Sequence, residues 1–415
     1  MAASNVKVYG YRWVVLAVFM FINLTIQILW ICFAPITGPA AKFYGVGELE
    51  IGLLAMAFMI VFIPVAIPAS WAIDTFGFHR AVGFGAVILG VFGMLRGIYT
   101  SNFTMTLIFT IGIAVAQPFI LNAFTKVAAK WFALEERATA IGLAQVASFL
   151  GVVVGQMLTP FLLDSVGMAR MQLIYGIFAA ISAIVFIVFA RENPPTPASP
   201  PGQEQRALVL DGLRQILRLP DFYYLAIVFF LAGGIFNGLE TWVESIVSPK
   251  GYAPADAGTL GGLMLIGAIV GAIIFPPISD KLRRRKPILL IGLIAAIPGL
   301  AAITLSNDYT VLLIAFFVLG FFMIGIAPVI YQLGAEITYP TPEGTSNGLF
   351  VLAMQISVVF IFAMGWLNDT LGSFTPSMFA LIILLAISAG LIALAHESPM
   401  MKNKTELQVD QVSAK

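Results

Sequence analysis

Long apolar stretches separated by short polar ones recur along the whole chain. Each stretch has about 20 residues or more, which is the length that a helix needs to cross a hydrocarbon layer of about 30 Å. The pattern predicts an all-α polytopic membrane protein. Its twelve membrane-spanning helices are expected at 12–38, 49–73, 79–99, 103–129, 136–160, 168–190, 220–247, 256–279, 287–306, 309–334, 344–366 and 374–396. The first stretch is too long for a signal-peptide core, so we expect it to remain as an anchor.

Composition supports this prediction and excludes several kinds of chemistry. Of the 415 residues, 60% are hydrophobic and 10% are charged, whereas a water-soluble protein has about 25% charged residues. The net charge of +1 gives no reason to expect a nucleic-acid partner. With one cysteine, Cys32, and two histidines, His79 and His396, neither a disulfide nor a His-based metal or catalytic site is expected. We therefore expect a monomer in the lipid bilayer that binds a small molecule, with no enzyme activity, no cofactor and no metal.

The basic residues are distributed unevenly between the two ends of the predicted spans. An even number of spans puts both termini on one side, and that side has eighteen of the 22 Lys and Arg residues. The other four are Lys42, Arg96, Arg170 and Lys250. The positive-inside rule then predicts cytoplasmic termini, and we expect the plasma (cell inner) membrane. Because no Lys or Arg is expected deep within a span, an anionic substrate is disfavoured.

A polar, Pro-rich segment, ENPPTPASPPGQEQR (192–206), divides the chain between spans six and seven and predicts an exposed linker. The following ALVLDGLRQILRL (207–219) has one apolar face, which predicts either a helix on the membrane surface or a linker helix packed on the protein. The expected organisation is a six-helix bundle at 1–190, a linker at 191–219, a second six-helix bundle at 220–396 and a disordered tail at 397–415.

The two halves repeat short signals. Span two ends in FIPVAIPASWAID (62–74) and span eight in AIIFPPISD (272–280), and basic residues follow both. EERATAIG (135–142) opens span five as EGTSNG (343–348) opens span eleven. This arrangement resembles the major facilitator superfamily, and DTFGFHR (74–80) is a degraded form of its loop 2–3 signature. The resemblance implies two pseudo-symmetric six-helix bundles and transport by alternating access.

Longer segments resemble one family more closely. They are YRWVVLAVF (11–19), Trp30, KFYGV (42–46), IPASWAIDTFG (67–77), VAQPFILNAFTKVAAKWF (115–132) and EITYPTPEGTSNGL (336–349). They are similar to the feline leukaemia virus subgroup C receptor-related transporters, a family of choline and ethanolamine carriers also discussed for haem. The resemblance implies a secondary transporter for a small organic cation or neutral polar amine. A proton-coupled drug or metabolite exporter and a carrier of a larger flat ligand such as haem are the alternatives. A non-transporting receptor is disfavoured because the outer loops are short.

The resemblance also implies substrate-binding residues on spans one, four, five and eleven. Trp30 matches a tryptophan that packs on the quaternary ammonium of choline, and an interfacial belt tryptophan is the alternative. Gln27 shares its face. Gln117 of span four lies in a matching motif, with hydrogen bonding between helices as the alternative to ligand contact. Gln355 of span eleven matches a glutamine that contacts substrate. On span five the equivalent glutamine is replaced by Phe149, with Gln145 one turn nearer the cytoplasm.

Span seven has an acid where apolar residues are expected, in GGIFNGLETWVESIV (233–247). Such a carboxylate persists mainly where it faces a cavity. Glu240 is a candidate counter-charge for a cationic substrate, with Trp242 as an aromatic wall and Asn237 at the place of a family tyrosine. Alternatively, Glu240 binds a proton or pairs with an outer-loop cation, Lys250 or Lys42. The three glycines of this stretch predict a bend or an unwound segment.

Charged residues at the cytoplasmic ends of the spans predict a gate. The candidates are Asp74, Arg80, Glu135, Glu136, Asp280, Arg283 and Glu343. We expect the basic residues to pair with the acids at the starts of spans five and eleven when the outer side is open. The small-residue patterns GVVVG (151–155) and GAIVG (267–271) predict close helix contacts, either between the two halves or within one half.

Overall fold

The twelve predicted spans are all present as helices. The computed structural model describes residues 9–133, 136–196, 216–339 and 343–398, and every regular element within these ranges is a helix. Eleven helices are long and apolar enough to cross a membrane. One of them is Arg137–Phe189, which Gly167 divides into spans five and six because its backbone is non-helical (φ 78°, ψ 168°). We call the side at which span one begins the terminal side, and the opposite side the far side.

In chain order, the spans have the following bounds. Spans one to four are Tyr11–Ile31, Glu48–Phe76, Phe78–Ile98 and Phe103–Leu121; span one is followed by helices Ala34–Ile36 and Thr37–Tyr44, and span four by Phe124–Trp131. Spans seven to nine are Pro220–Thr241, Pro254–Leu282 and Lys286–Leu305, with Val243–Val247 and Ser248–Lys250 after span seven. Span ten consists of Tyr309–Leu319, Gly320–Ile324 and Ala327–Ile337; span eleven of Glu343–Ile356 and Val358–Leu371; and span twelve is Thr375–Leu394.

Contacts divide the chain into two compact units. The first unit contains Met1–Gln205, Asn237–Gly262 and Val358–Phe374, and the second contains Arg206–Phe236, Leu263–Ser357 and Thr375–Lys415. The far ends of spans seven, eight and eleven therefore belong with the first six spans. The predicted chain boundaries at 190 and 220 stay a prediction. The predicted tail beyond 398 and most of the predicted linker helix lie outside the described residues.

The helix of span seven runs without a break to Thr241, so no unwound segment lies among its glycines. The glycines instead allow close packing of helices. A Cβ on Gly233 would lie 2.5 Å from Met354, and one on Gly238 would lie 2.6 Å from the Met364 sulfur. The helix is interrupted one turn later, at Trp242.

The two small-residue patterns make contacts within one half of the sequence. Gly151 packs against the Leu24 carbonyl and Gln27, and Gly155 packs against span one a turn further on. In the second pattern, Gly267 and Gly271 pack against backbone atoms of span ten. Of the two alternatives, these four glycines show packing within one half, because spans one and ten occupy their surfaces.

The internal repeat extends to a capping contact that the sequence analysis did not identify. The Glu192 carboxylate, just after span six, accepts a hydrogen bond from the His79 N–H at the start of span three (2.7 Å). Likewise the Glu397 carboxylate, just after span twelve, accepts from the Arg285 and Lys286 N–H groups at the start of span nine (2.9 and 3.3 Å). A carboxylate is favoured there because the first N–H groups of a helix lack partners within the helix.

Replacing Glu192 by glutamine is expected to destabilise the protein by about 1 kcal/mol, because a neutral amide is a weaker partner for a helix N-terminus. Thermal unfolding in detergent would show this as a lower Tm. Asp164→Asn is the matched control, since Asp164 is exposed. Equal Tm values for the two variants would show that the Glu192 carboxylate does not hold span three.

Candidate functional site

Trp30 lies near the far end of span one and is almost completely buried. Its side chain is 7% exposed, and its indole N–H has no hydrogen-bond partner. Span one ends at Ile31, and a short helix with Pro35 in its first turn follows. Because a buried indole N–H usually has a partner, Trp30 has a polar atom available for a ligand.

A pair of neutral amides lies one turn from Trp30 towards the terminal side. The Gln117 amide of span four donates to the Gln27 carbonyl of span one (3.3 Å). Gln117 is buried, and its own carbonyl oxygen has no partner. Two predicted residues are thus brought together on adjacent spans, and one more buried polar atom is left for another group.

Arg96 differs from the expectation of an outer-flank residue. It lies in the last turn of span three but is only 1% exposed. Its guanidinium donates to the Leu29 carbonyl (3.2 Å) and the Thr110 hydroxyl (3.4 Å), and it lies 5.6 Å from the Phe33 ring. A cation at the end of a helix is favourable because the last carbonyls carry partial negative charge. A fixed cation is therefore buried inside the bundle, which weakens the sequence argument against an anionic substrate.

Span five contributes a residue that the sequence analysis missed. Gln145 is exposed and Phe149 is half-buried, whereas Gln156 is completely buried. The Gln156 amide donates to both the Glu240 carboxylate and the Glu240 main-chain carbonyl. The available signal was the glutamine in the apolar segment GVVVGQML (151–158), because such a group in hydrocarbon needs a partner.

Glu240 is enclosed within the first unit. Its side chain is 0% exposed, and Gln156 is its side-chain partner among the described residues. The second carboxylate oxygen, Oε1, has no partner. The alternative pairing of Glu240 with Lys250 or Lys42 is therefore not formed in this structure.

The other predicted residues of span seven pack tightly. Trp242 is fully buried, and its indole N–H donates to the Ile361 carbonyl (3.0 Å). A Cβ on Gly52 would lie 2.5 Å from the Trp242 ring, and one on Gly365 would lie 2.7 Å from it. Trp242 therefore holds spans two and eleven together here and presents no open aromatic wall. Asn237 is buried in the same unit.

A second acid supports the packing of the far side. The Glu244 carboxylate accepts a hydrogen bond from the Gly38 N–H (2.8 Å), which follows the break after span one. Burial raises the pKa of the Glu244 carboxyl above its ordinary value, and the Gly38 hydrogen bond opposes this only in part. Thus Glu240 and Glu244 are both bonded to amide groups.

Gln355 belongs to the second unit and is buried near the end of the first helix of span eleven. A shallow apolar groove of about 510 Å³ on span five, lined by Val153, Val154, Met157, Leu158 and Phe161, contains none of the candidate residues.

Ion pairs hold the terminal side of each unit. In the first unit, Asp74 pairs with Lys126 (3.2 Å) and Glu136 with Arg12 (3.0 Å). In the second, Arg285 pairs with Asp280 and with Glu336 (3.0 Å). Arg80 and Arg283 are exposed, and Arg283 has a positive φ of 51°. Glu135 and the Glu343 side chain lie outside the described residues, so their predicted gating role stays a prediction.

Arg285 is the best-connected of these charges. Its side chain is 6% exposed, and it also donates to the Ser279 hydroxyl (3.1 Å). Burial lowers the pKa of Arg285, but the hydrogen bonds and charges of Glu336 and Asp280 outweigh burial and raise that pKa above its ordinary value.

Comparisons with known proteins agree on one family. The Major Facilitator Superfamily model matches residues 15–361. The choline/ethanolamine transporter FLVCR2 of Rattus norvegicus is 29% identical over 413 residues, covering 94% of this chain and 75% of that protein. The choline/ethanolamine transporter FLVCR1 of Felis catus is 30% identical over 383 residues, with coverages of 86% and 68%. Solute carrier family 49 member A3 of Xenopus tropicalis is 30% identical over 372 residues, with coverages of 84% and 76%.

A solved structure shows the same fold. It is a bacterial homolog of the human lysosomal transporter Spinster, in an inward-facing and unoccupied conformation. The TM-score is 0.76 at 17% sequence identity, and the alignment covers 94% of this chain and 98% of that chain.

Replacing Gly52 by alanine is expected to cost about 1–3 kcal/mol, because a methyl group there overlaps the Trp242 ring in a packed interior. Thermal unfolding in detergent measures the loss. Gly390→Ala is the matched control, since a Cβ on Gly390 meets nothing within 4 Å. If both variants keep the wild-type Tm, Trp242 is not tightly packed against span two.

Replacing Arg285 by glutamine is expected to destabilise the protein by about 3 kcal/mol, because Glu336 is then left buried without its cation. Arg284→Gln, at an exposed neighbouring position, should stay close to wild type. Chemical unfolding of the two variants in parallel compares them. A loss no larger for Arg285→Gln than for Arg284→Gln would contradict the assignment.

Proposed function

The chain belongs to the Major Facilitator Superfamily, a family of transporters that work by alternating access, and on this premise we propose that it carries a small organic cation or neutral polar amine of the choline type. It is a transporter and not an enzyme. Two relatives carry choline and ethanolamine in their names, and their similarity extends over most of this chain. The proposal concerns the substrate class.

Trp30 is the observation that carries the proposal. An indole face attracts a quaternary ammonium without requiring a fixed counter-charge. The Trp30 ring lies one turn from the neutral amide pair of Gln27 and Gln117, which suits the hydroxyl of choline or ethanolamine. Both the Trp30 N–H and the Gln117 carbonyl lack partners, so each is available for a polar group of the substrate.

The remaining predicted residues are proposed as substrate contacts in a state with an open far side. Glu240 and Trp242 are fully buried. Each can therefore contact a substrate only after its present hydrogen bond, to Gln156 or to the Ile361 carbonyl, breaks. Once released from Gln156, the Glu240 carboxylate is a counter-charge for an ammonium group. Asn237, Gln145, Phe149 and Gln355 are further proposed contacts.

We also propose that the terminal side faces the cytoplasm, in the plasma membrane, and that the protein works as a monomer. The uneven distribution of basic residues supports this orientation, since the sequence pattern assigns eighteen of the 22 Lys and Arg residues to the side of the termini.

Uptake of labelled choline and ethanolamine into proteoliposomes tests the proposal. Trp30→Leu is expected to raise KM roughly 30-fold, because a desolvated cation–π contact is worth about 2 kcal/mol. Trp71→Leu is the matched control, since Trp71 is 61% exposed on span two.

Arg96 makes carboxylates the most useful competitors in this assay. If short-chain carboxylates compete with uptake and quaternary amines do not, the substrate is an anion and the proposed class is wrong. Wild-type KM values in Trp30→Leu would instead remove Trp30 from the site.

A further inference from the structure

The Gln156–Glu240 pair has an incomplete set of hydrogen bonds. Both side chains are 0% exposed, so water does not complete the set. The Gln156 amide nitrogen donates to Glu240 Oε2. Gln156 Oε1 and Glu240 Oε1, the second oxygens of the same two groups, both lack partners. Two buried acceptors on bonded neighbours, with no donor for either, require an explanation.

No cation supplies the missing donor. The charged side chains of the far part of the first unit, within the described ranges, are Lys42, Glu48, Glu50, Arg96, Asp164, Arg170, Glu244, Lys250, Asp256 and Asp369. None of them is hydrogen-bonded or ion-paired to Glu240 in the described ranges. The Arg96 guanidinium bonds to span one, and the Glu244 carboxylate bonds to the Gly38 N–H.

Close packing around Gln156 also excludes a ligand as the donor. Gly258 packs against the Gln156 carbonyl, and a Cβ on Gly261 would lie 2.9 Å from the Gln156 side-chain carbon Cδ. Span eight therefore covers the amide without adding a polar group. A proton completes the pair without requiring additional space.

We propose that Glu240 is a proton-binding site that is protonated while the far side is closed and releases its proton when that side opens. With the proton on Oε1, the acid O–H donates to Gln156 Oε1 while the Gln156 N–H donates to Glu240 Oε2. An acid and an amide then pair through two hydrogen bonds, and both orphan oxygens gain a partner. An ionised carboxylate offers four acceptor lone pairs and would leave Oε1 unpaired.

Opening of the far side separates Gln156 from Glu240 and admits water. The Oε1–H bond of the acid then breaks, the proton passes to a water molecule as hydronium, and Glu240 is left as a solvated carboxylate. Closure reverses this step. One proton is thus linked to the conformational change, and high proton activity favours the closed far side.

This inference rests on the proposed function only through alternating access, and it holds for any substrate. If the substrate is an amine, the ammonium group and the proton compete for the same carboxylate. Transport of the amine into the cytoplasm would then be coupled to the state of Glu240.

The experiment measures opening of the far side by thiol labelling, without substrate. Ser245 is 5% exposed, and its hydroxyl has no partner. Ser245→Cys in a Cys32→Ser background gives a single thiol that a maleimide reaches when the far side opens. The full chain is labelled in nanodiscs from about pH 6 to about pH 8, and Glu240→Gln in the same background is the matched control.

The ratio of the labelling rates is the readout, because the thiol's own titration is shared by both proteins. The rate for the Glu240 protein, divided by that for Glu240→Gln, is expected to rise with pH, by up to about tenfold per pH unit for one proton. A ratio that does not change with pH overturns the proposal. The labelling rate of Glu244→Gln, divided by that of Glu240→Gln, should rise with pH in the same way. If Glu244→Gln loses the pH dependence and Glu240→Gln keeps it, the proton binds to Glu244 and the proposal is overturned.

Infrared difference spectroscopy gives a second, independent readout. A protonated carboxylic acid has a C=O stretching band that is absent from a carboxylate and from an amide. The wild type at low pH is expected to show a band that Glu240→Gln lacks. Identical spectra for the two would overturn the proposal even if the labelling variants failed to fold. Neither readout uses an amine, so failure of the proposed substrate class is distinguishable from failure of the proton site.

Discussion

The structure depends on one constraint, which is that a charged or polar group in hydrocarbon must find its partners within the protein. Arg96 illustrates the consequence, because its guanidinium bonds to the carbonyl end of span one and so fixes the break before Thr37. Arg285 does the same for the start of span nine through Glu336 and Asp280. Ionisable residues thus determine where helices meet and end, although they are few.

The two sides of the bundle satisfy this constraint differently. On the terminal side, acids pair with cations, as Glu136 does with Arg12. On the far side, the acids of span seven and its continuation are bonded to amide groups, as Glu240 is to Gln156. Salt screens ion pairs between exposed groups, whereas amide–acid contacts respond to protonation. Arg285 and Glu336 are 6% and 5% exposed, so this terminal-side pair is largely shielded from salt.

The proposed substrate site and the proposed proton site use different chemistry in the same unit. Trp30 and the Gln27–Gln117 pair provide an uncharged aromatic and amide surface that suits a weakly hydrated cation. Glu240 lies within the packing of the far side, and its partner Gln156 packs against Gly258 and Gly261 of span eight. In the proposed scheme the neutral groups hold the substrate, and Glu240 becomes available to it as a counter-charge only when the far side opens.

The sequence predicted the number of spans, their order, the repeat of six and six, and the family. Membrane helices can be recognised in a sequence because they are long and apolar. The sequence also identified Trp30, Gln27, Gln117 and Glu240 as polar side chains within spans. It did not reveal Gln156 as the partner of Glu240, the packing role of Trp242, or the burial of Arg96. These depend on which face of each helix meets which neighbour, and about 84 positions separate Gln156 from Glu240 along the chain. Apolarity on all faces of a membrane helix removes the periodicity that would give its orientation, so only tertiary packing decided these contacts.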